Sequence, residues 1–112
     1  MITIWHNPRC SKSRETLAIV QEAGPATIRL YLEDAPSAEE IRGVLGQLGR
    51  TAIEIMRPKE AEFKAMGLSK TDGEDRLIAA MVEAPKLIER PIVITEKGAR
   101  IGRPPETVRE VL

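Results

Sequence analysis

The sequence has one cysteine, Cys10, so no disulfide framework can form within the chain. That usage fits a reducing compartment such as the cytosol. Net charge is also missing: 17 Lys and Arg balance 17 Asp and Glu, which removes any global case for nucleic-acid binding. Any basic function must come from a local cluster. No apolar run approaches the ~20 residues that would span a bilayer. The opening Met1-Ile2-Thr3-Ile4-Trp5 lacks the basic and long apolar regions of a signal peptide. A cytoplasmic protein with neither nucleic-acid nor membrane partners is expected. There is no internal repeat, low-complexity tract or linker. What remains is 112 residues, 42% hydrophobic and 30% charged, read as a single domain, 1–112, able to bury a core of its own.

The rest of the chain is arranged around Trp5-His6-Asn7-Pro8-Arg9-Cys10-Ser11-Lys12-Ser13-Arg14. A short apolar strand, Ile2 to Ile4, precedes this stretch. A helical pattern from about Ser11 to Ala23 follows, with Leu17, Ala18, Val20 and Ala23 as its apolar positions. The cysteine therefore lies at a strand-to-helix junction. The first amides of a helix have no partner within it and carry partial positive charge. A thiol there is biased toward thiolate. Lone cysteines are ordinarily small buried hydrophobes, but one flanked by Arg9 and Lys12 reads as reactive. Ser11, Lys12, Ser13 and Arg14, on the first helical turn, are the candidate anion-binding residues beside it.

Further along, Gly24-Pro25 ends the first helix. Thr27 to Leu32 reads as a second strand, with Ile28 and Leu30 on one side and Arg29 and Tyr31 on the other. Ser37 and Glu40 have capping-box spacing. They open a helix with Ile41, Val44, Leu45 and Leu48 on one stripe, closed by Gly49. Short helices are expected over Ala52–Met56 and Lys59–Met66, the latter burying Phe63 and Met66. Thr71 and Glu74 suggest a second capping box before a helix carrying Leu77, Ile78, Met81 and Val82, which Pro85 ends. Pro91 to Ile94 is a continuous apolar run typical of a buried strand. Lys97-Gly98 turns it into a hairpin with Ala99–Gly102, and a last helix runs from Glu106 to Leu112 with Val108 inward. The order β-α-β, helices, β-β-α is that of a thioredoxin-like (glutaredoxin-like) α/β domain. It predicts a mixed sheet of about four strands, helices on both faces and an inserted helical segment over about 37–84. With no apolar stripe left over, a monomer is expected.

Three arginines outside the loop each precede a proline: Arg57, Arg90 and Arg103. The residue before proline is biased toward extended backbone, so none is expected in mid-helix. A guanidinium fork at such a position suits an oxyanion. Most arginines are solvated, however, and the pairs alone leave both readings open. A phosphatase-type loop is excluded, since the position six after Cys10 is Thr16. A Cys-x-x-Cys dithiol is excluded because position 13 is Ser13.

His6 to Leu17 resembles the active-site segment of the glutaredoxin-coupled arsenate reductases. Leu30-Tyr31-Leu32-Glu33, Glu89-Arg90-Pro91-Ile92-Val93 and Gly102-Arg103-Pro104-Pro105-Glu106 resemble that family's later motifs, in the same order. The resemblance implies that Cys10 is the nucleophile, with His6 assisting the thiolate. It implies that Arg57, Arg90 and Arg103 bind the oxyanion and that Pro91 takes the cis-proline position. It further implies reduction of arsenate, or a similar oxyanion, through a thiol–arsenate adduct on Cys10. No cofactor or metal would be bound, and glutathione and glutaredoxin would act as external reductants. With a single cysteine, an internal disulfide relay is excluded. Two alternatives are a glutathione-dependent thiol reductase of another anionic substrate, and a non-catalytic redox-sensing regulator that binds RNA polymerase. The second would ordinarily carry the Cys-x-x-Cys that Ser13 interrupts.

Overall fold

The computed structural model describes residues 1–112, which form two compact units. The first comprises Met1–Asp34 and Arg90–Leu112. The second, Ala35–Glu89, is the inserted helical segment.

In the first unit β1 (Ile2–Trp5), β2 (Ala26–Arg29), β3 (Ile92–Thr95) and β4 (Gly98–Ile101) form one sheet in the order β2-β1-β3-β4. β1 runs parallel to β2, joined through α1 (Ser11–Ala23), and antiparallel to β3. This is the mixed thioredoxin-like sheet that the element order predicts. Consecutive residues of a strand point to opposite faces, and Ile4 and Trp5 are both buried, so the central strand is covered on both. Ile4, Val20, Val93, Val108 and Val111 form the core, with Ile2, Leu17 and Ile19 packed against it. The two last valines come from a 3-10 helix, Pro105–Val111, where an ordinary helix was expected. No helix of the chain is long and apolar enough to cross a membrane.

Two expectations about this unit need correction. β2 stops at Arg29, not Leu32. The Leu30 carbonyl accepts the N–H groups of Glu33 and Asp34 at 3.0 and 2.9 Å, and the Arg29 guanidinium lies 3.3 Å from the Asp34 carboxylate. The chain therefore turns where the alternation suggested more strand. Ile28, Leu30 and Leu32 are left exposed and Tyr31 is buried. Apolar side chains thus do remain at the sheet edge, contrary to the premise on which a monomer was expected. The second correction concerns α1, whose buried residues are Ser13, Thr16 and Val20, while Ala18 and Ala23 are exposed. This face is small and polar because β4 ends against it. A Cβ on Gly102 would lie 2.5 Å from Thr16 Oγ1 and 2.8 Å from Pro91 Cγ. Thr16 satisfies its buried hydroxyl by donating to the Lys12 carbonyl at 2.8 Å.

In the second unit, the capping box on α2 (Ala38–Leu48) forms as expected. The Glu40 N–H donates to Ser37 Oγ at 3.1 Å and the Ser37 N–H donates to the Glu40 carboxylate at 2.9 Å. Ile41, Val44 and Leu45 are its buried stripe, and Gly49 ends it at φ 67°, where a Cβ is costly. A 3-10 turn (Ala52–Ile55) and α3 (Ala61–Ala65) follow, with Phe63 buried and Met66 half-buried. α4 (Glu74–Glu83) buries Leu77, Ile78, Ala80 and Met81. Its expected Thr71–Glu74 capping box does not form. Gly73 is the N-cap, and the Glu74 carboxylate accepts the Ala52 N–H at 2.8 Å, tying α4 to the 3-10 turn.

Gly102→Ala is expected to destabilise the protein by about 1–3 kcal/mol, the usual range for overpacking a filled site. Urea unfolding of the variant checks this. Thr16→Ala in the same chain should recover part of the loss, because it removes the nearest obstructing atoms.

Candidate active site

The register of the sheet determines what meets at one end of it. Trp5 pairs with Ile92, and Ile92 pairs with Ile101. The residues just beyond these pairs are His6 leaving β1, Pro91 and Arg90 entering β3, and Gly102 and Arg103 leaving β4. Stretches some 80 residues apart in sequence thus emerge together. The Gly102 N–H donates to the Pro91 carbonyl at 2.9 Å. Arg103 Nη1 donates to the Arg90 carbonyl at 3.1 Å. The Arg90–Pro91 peptide is cis, as the resemblance implies, and so is Arg103–Pro104.

The cysteine loop is built by its own backbone. The His6 N–H extends the parallel pairing to the Arg29 carbonyl at 2.8 Å. The Cys10 N–H then donates to the Asn7 carbonyl at 3.0 Å, closing a turn, and Asn7 Oδ1 accepts the Arg9 N–H at 3.0 Å. Cys10 occupies the N-cap of α1 with extended backbone, half-buried, and its side chain caps nothing. The first amides of α1 are therefore not occupied by the usual capping oxygen. Lys12 and Arg14 stand exposed on the first turn. Lys12 lies 3.9 Å from Glu15, and Arg14 Nη1 donates back to the Pro8 carbonyl at 2.8 Å. Ser11 is exposed beside them.

Ser13 points inward. Its Oγ accepts the Asn7 N–H at 3.0 Å and lies 2.6 Å from His6 Nδ1. With one lone pair taken, the hydroxyl hydrogen is free for Nδ1, which suits the neutral imidazole with its proton on Nε2. Burial holds the His6 pKa below its usual 6.5, and the Arg14 guanidinium lowers it further. The only histidine of the chain is thus neutral at pH 7, and its link to the cysteine loop runs through Ser13.

Arg57 belongs to the second unit. Its N–H donates to the Leu87 carbonyl at 2.8 Å, and its guanidinium lies 3.1 Å from the Glu60 carboxylate and 3.8 Å from that of Glu89. Of the sequence-predicted residues, Cys10, His6, Ser11, Lys12, Ser13, Arg14, Arg90 and Arg103 share the first unit. Asn7, Thr16 and Gly102 were not singled out from sequence. Thr16 and Gly102 meet in a close approach for which pattern reading has no signal, whereas the Asn7 side chain closes a local turn that the Asn7-Pro8 pair could have flagged.

A model of the ArsC family matches residues 5–111. The chain belongs to the ArsC family. It is 44% identical to an arsenate reductase of Haemophilus influenzae, covering 99% of this chain and 98% of that protein. It is 39% identical to an arsenate reductase of Escherichia coli, covering 99% of this chain and 80% of that one. A solved arsenate reductase structure from Vibrio cholerae superposes with a TM-score of 0.93 at 47% identity, covering 99% and 97% of the two chains. ArsC-family membership agrees with the thioredoxin-like sheet of the first unit.

Because His6 is neutral when folded and titrates near 6.5 when unfolded, the unfolded chain takes up the extra proton. The stability this confers is present above pH 6.5 and is lost as pH falls through 6.5 toward the lower folded value. Urea midpoints should therefore drop between pH 7 and pH 5.5, and His6→Gln should flatten that slope. The depressed carboxylates Glu54, Asp72 and Glu96 act only at lower pH, around and below their ordinary values of 3.8 to 4.5.

Proposed function

We propose that this protein reduces arsenate to arsenite, drawing electrons from glutathione and glutaredoxin. The observation that carries the reading is the convergence of one thiol, a cationic helix start and two Arg-Pro corners at one end of the sheet. It is joined to near-full-length similarity to arsenate reductases. In this scheme the arsenate oxygens rest against the first turn of α1 and on Arg90 and Arg103. Guanidinium groups held in place by the fold neutralise charge on those oxygens as the reaction proceeds. The Cys10 thiolate attacks arsenic, the S–As bond forms, and one oxygen departs as water after taking up protons. His6, neutral at pH 7, is in the form that can accept a proton as the thiol is activated. Glutathione sulfur then attacks the adduct. Two thiols finish as a disulfide, and their two electrons take arsenic from the +5 to the +3 state, released as arsenite. Glutaredoxin returns Cys10 to the thiol. The single cysteine supports a resolving thiol from outside the chain.

Arsenate-dependent NADPH oxidation, coupled through glutathione, glutaredoxin and glutathione reductase, tests the reading. Cys10→Ser should lose all activity above background with a melting temperature no lower than that of the wild type, since serine is a good N-cap. An inactive wild type in this assay would reject arsenate as the substrate. Arg90→Ala and Arg103→Ala should each raise the arsenate KM about tenfold or more, the usual worth of a charge-assisted hydrogen bond. Steady-state kinetics at fixed glutathione measures it, and unchanged constants would make these arginines structural only.

A further inference from the structure

A cavity of about 320 Å³ opens beside the cysteine loop, within the first unit. One wall is His6, Asn7, Pro8 and Arg9, and the other is Leu30, Leu32 and Glu33 from the turn after β2. The anion chemistry proposed above uses nothing on that second wall. The volume is at the lower end of small-molecule sites and far exceeds what a tetrahedral oxyanion needs. An acidic Glu33 would also repel a bare anion.

We infer that this cavity seats a short peptide thiol bearing both carboxylate and ammonium groups, the glutathione of the proposed reaction; the inference rests on that reading and locates its second substrate. The charges are complementary. Arg9 and Glu33 are exposed on opposite walls, a guanidinium for a peptide carboxylate and a carboxylate for an ammonium. Leu30 and Leu32, 37% and 43% exposed, supply an apolar surface between them suited to the methylene groups of such a peptide. The second wall is held in shape before any ligand arrives, because the Leu30 carbonyl accepts two N–H groups and Arg29 clasps Asp34. Reach is sufficient. The turn closed by the Cys10 N–H on the Asn7 carbonyl keeps those two Cα atoms within about 7 Å. An extended tripeptide spans about 10 Å.

The test uses the full chain, labelled with ¹⁵N, and S-methylglutathione, whose blocked sulfur can neither reduce nor form a disulfide. Saturable shifts of the Asn7, Arg9, Leu30, Leu32 and Glu33 amides are expected. Binding should weaken at least about fivefold in Glu33→Lys and in Leu32→Asp, the scale of one lost ion pair or apolar contact. Unchanged spectra elsewhere in the chain confirm that each variant is folded. Shifts confined to Arg90, Arg103 and their neighbours, affinity indifferent to both substitutions, or no shift at all would overturn the assignment. So would shifts of the same residues caused by glutaredoxin but not by S-methylglutathione, which would give the surface to a protein partner. No arsenate is present, so this result stands apart from the coupled assay. Groove binding by a protein inactive on arsenate would retain the peptide-thiol site and reject only the arsenate.

Discussion

The double pairing of β1 is the constraint on which the first unit depends. β1 is parallel to β2 on one side and antiparallel to β3 on the other, with Ile4 and Trp5 buried on opposite faces. A slip of one residue would send each of those side chains to the wrong face, so the register is firmly set. Once it is set, the end of β1, the start of β3 and the end of β4 must emerge together. The cysteine loop, Arg90 and Arg103 become neighbours as a consequence of strand pairing, with no contact needed to bring them there. The close approach of Gly102 to Thr16 then locks α1 against the same corner.

Charge at this corner is arranged asymmetrically. The helix start and its lysine and arginine are positive, and the one histidine is kept neutral by burial and by Arg14. Ser13 resolves what would otherwise be a buried polar conflict. Its hydroxyl serves a ring nitrogen and a backbone amide together, so a fully buried serine leaves neither of them unsatisfied. Arg57 shows a different solution in the second unit, where two carboxylates hold its guanidinium in place. Arg103 is aimed by the Arg90 carbonyl and Arg57 by two acidic partners, and neither swings free from a helix surface.

Elements whose signal is local were legible in the sequence. α1 begins and ends where the Cys10 junction and Gly24-Pro25 place it, and Ser37 and Glu40 cap α2 as their spacing indicates. The Lys97-Gly98 hairpin also forms. The misreadings arose where a distant partner outweighed the local pattern. Glu74 had capping-box spacing but bonds to Ala52. Leu30 and Leu32 alternated with their neighbours like strand residues, yet the chain turns after Arg29, where the Arg29–Asp34 clasp leaves them exposed. Ala18 and Ala23 looked apolar enough to be core, but the space against β4 admits only the Ser13–Thr16 face.

The sequence by itself determined the element order, the capping box of α2, the candidate nucleophile and the absence of any second thiol. These depend on residue type and short-range spacing, which periodicity and backbone preference make readable. Only the tertiary structure decided that Cys10, Arg90 and Arg103 share one end of a sheet. It alone also decided that Ser13 faces His6, that Gly102 has no room for a side chain, and that a cavity lies between the cysteine loop and the turn after β2. Each of these depends on strand register and on atoms packed from far along the chain, and no local stretch of sequence encodes either.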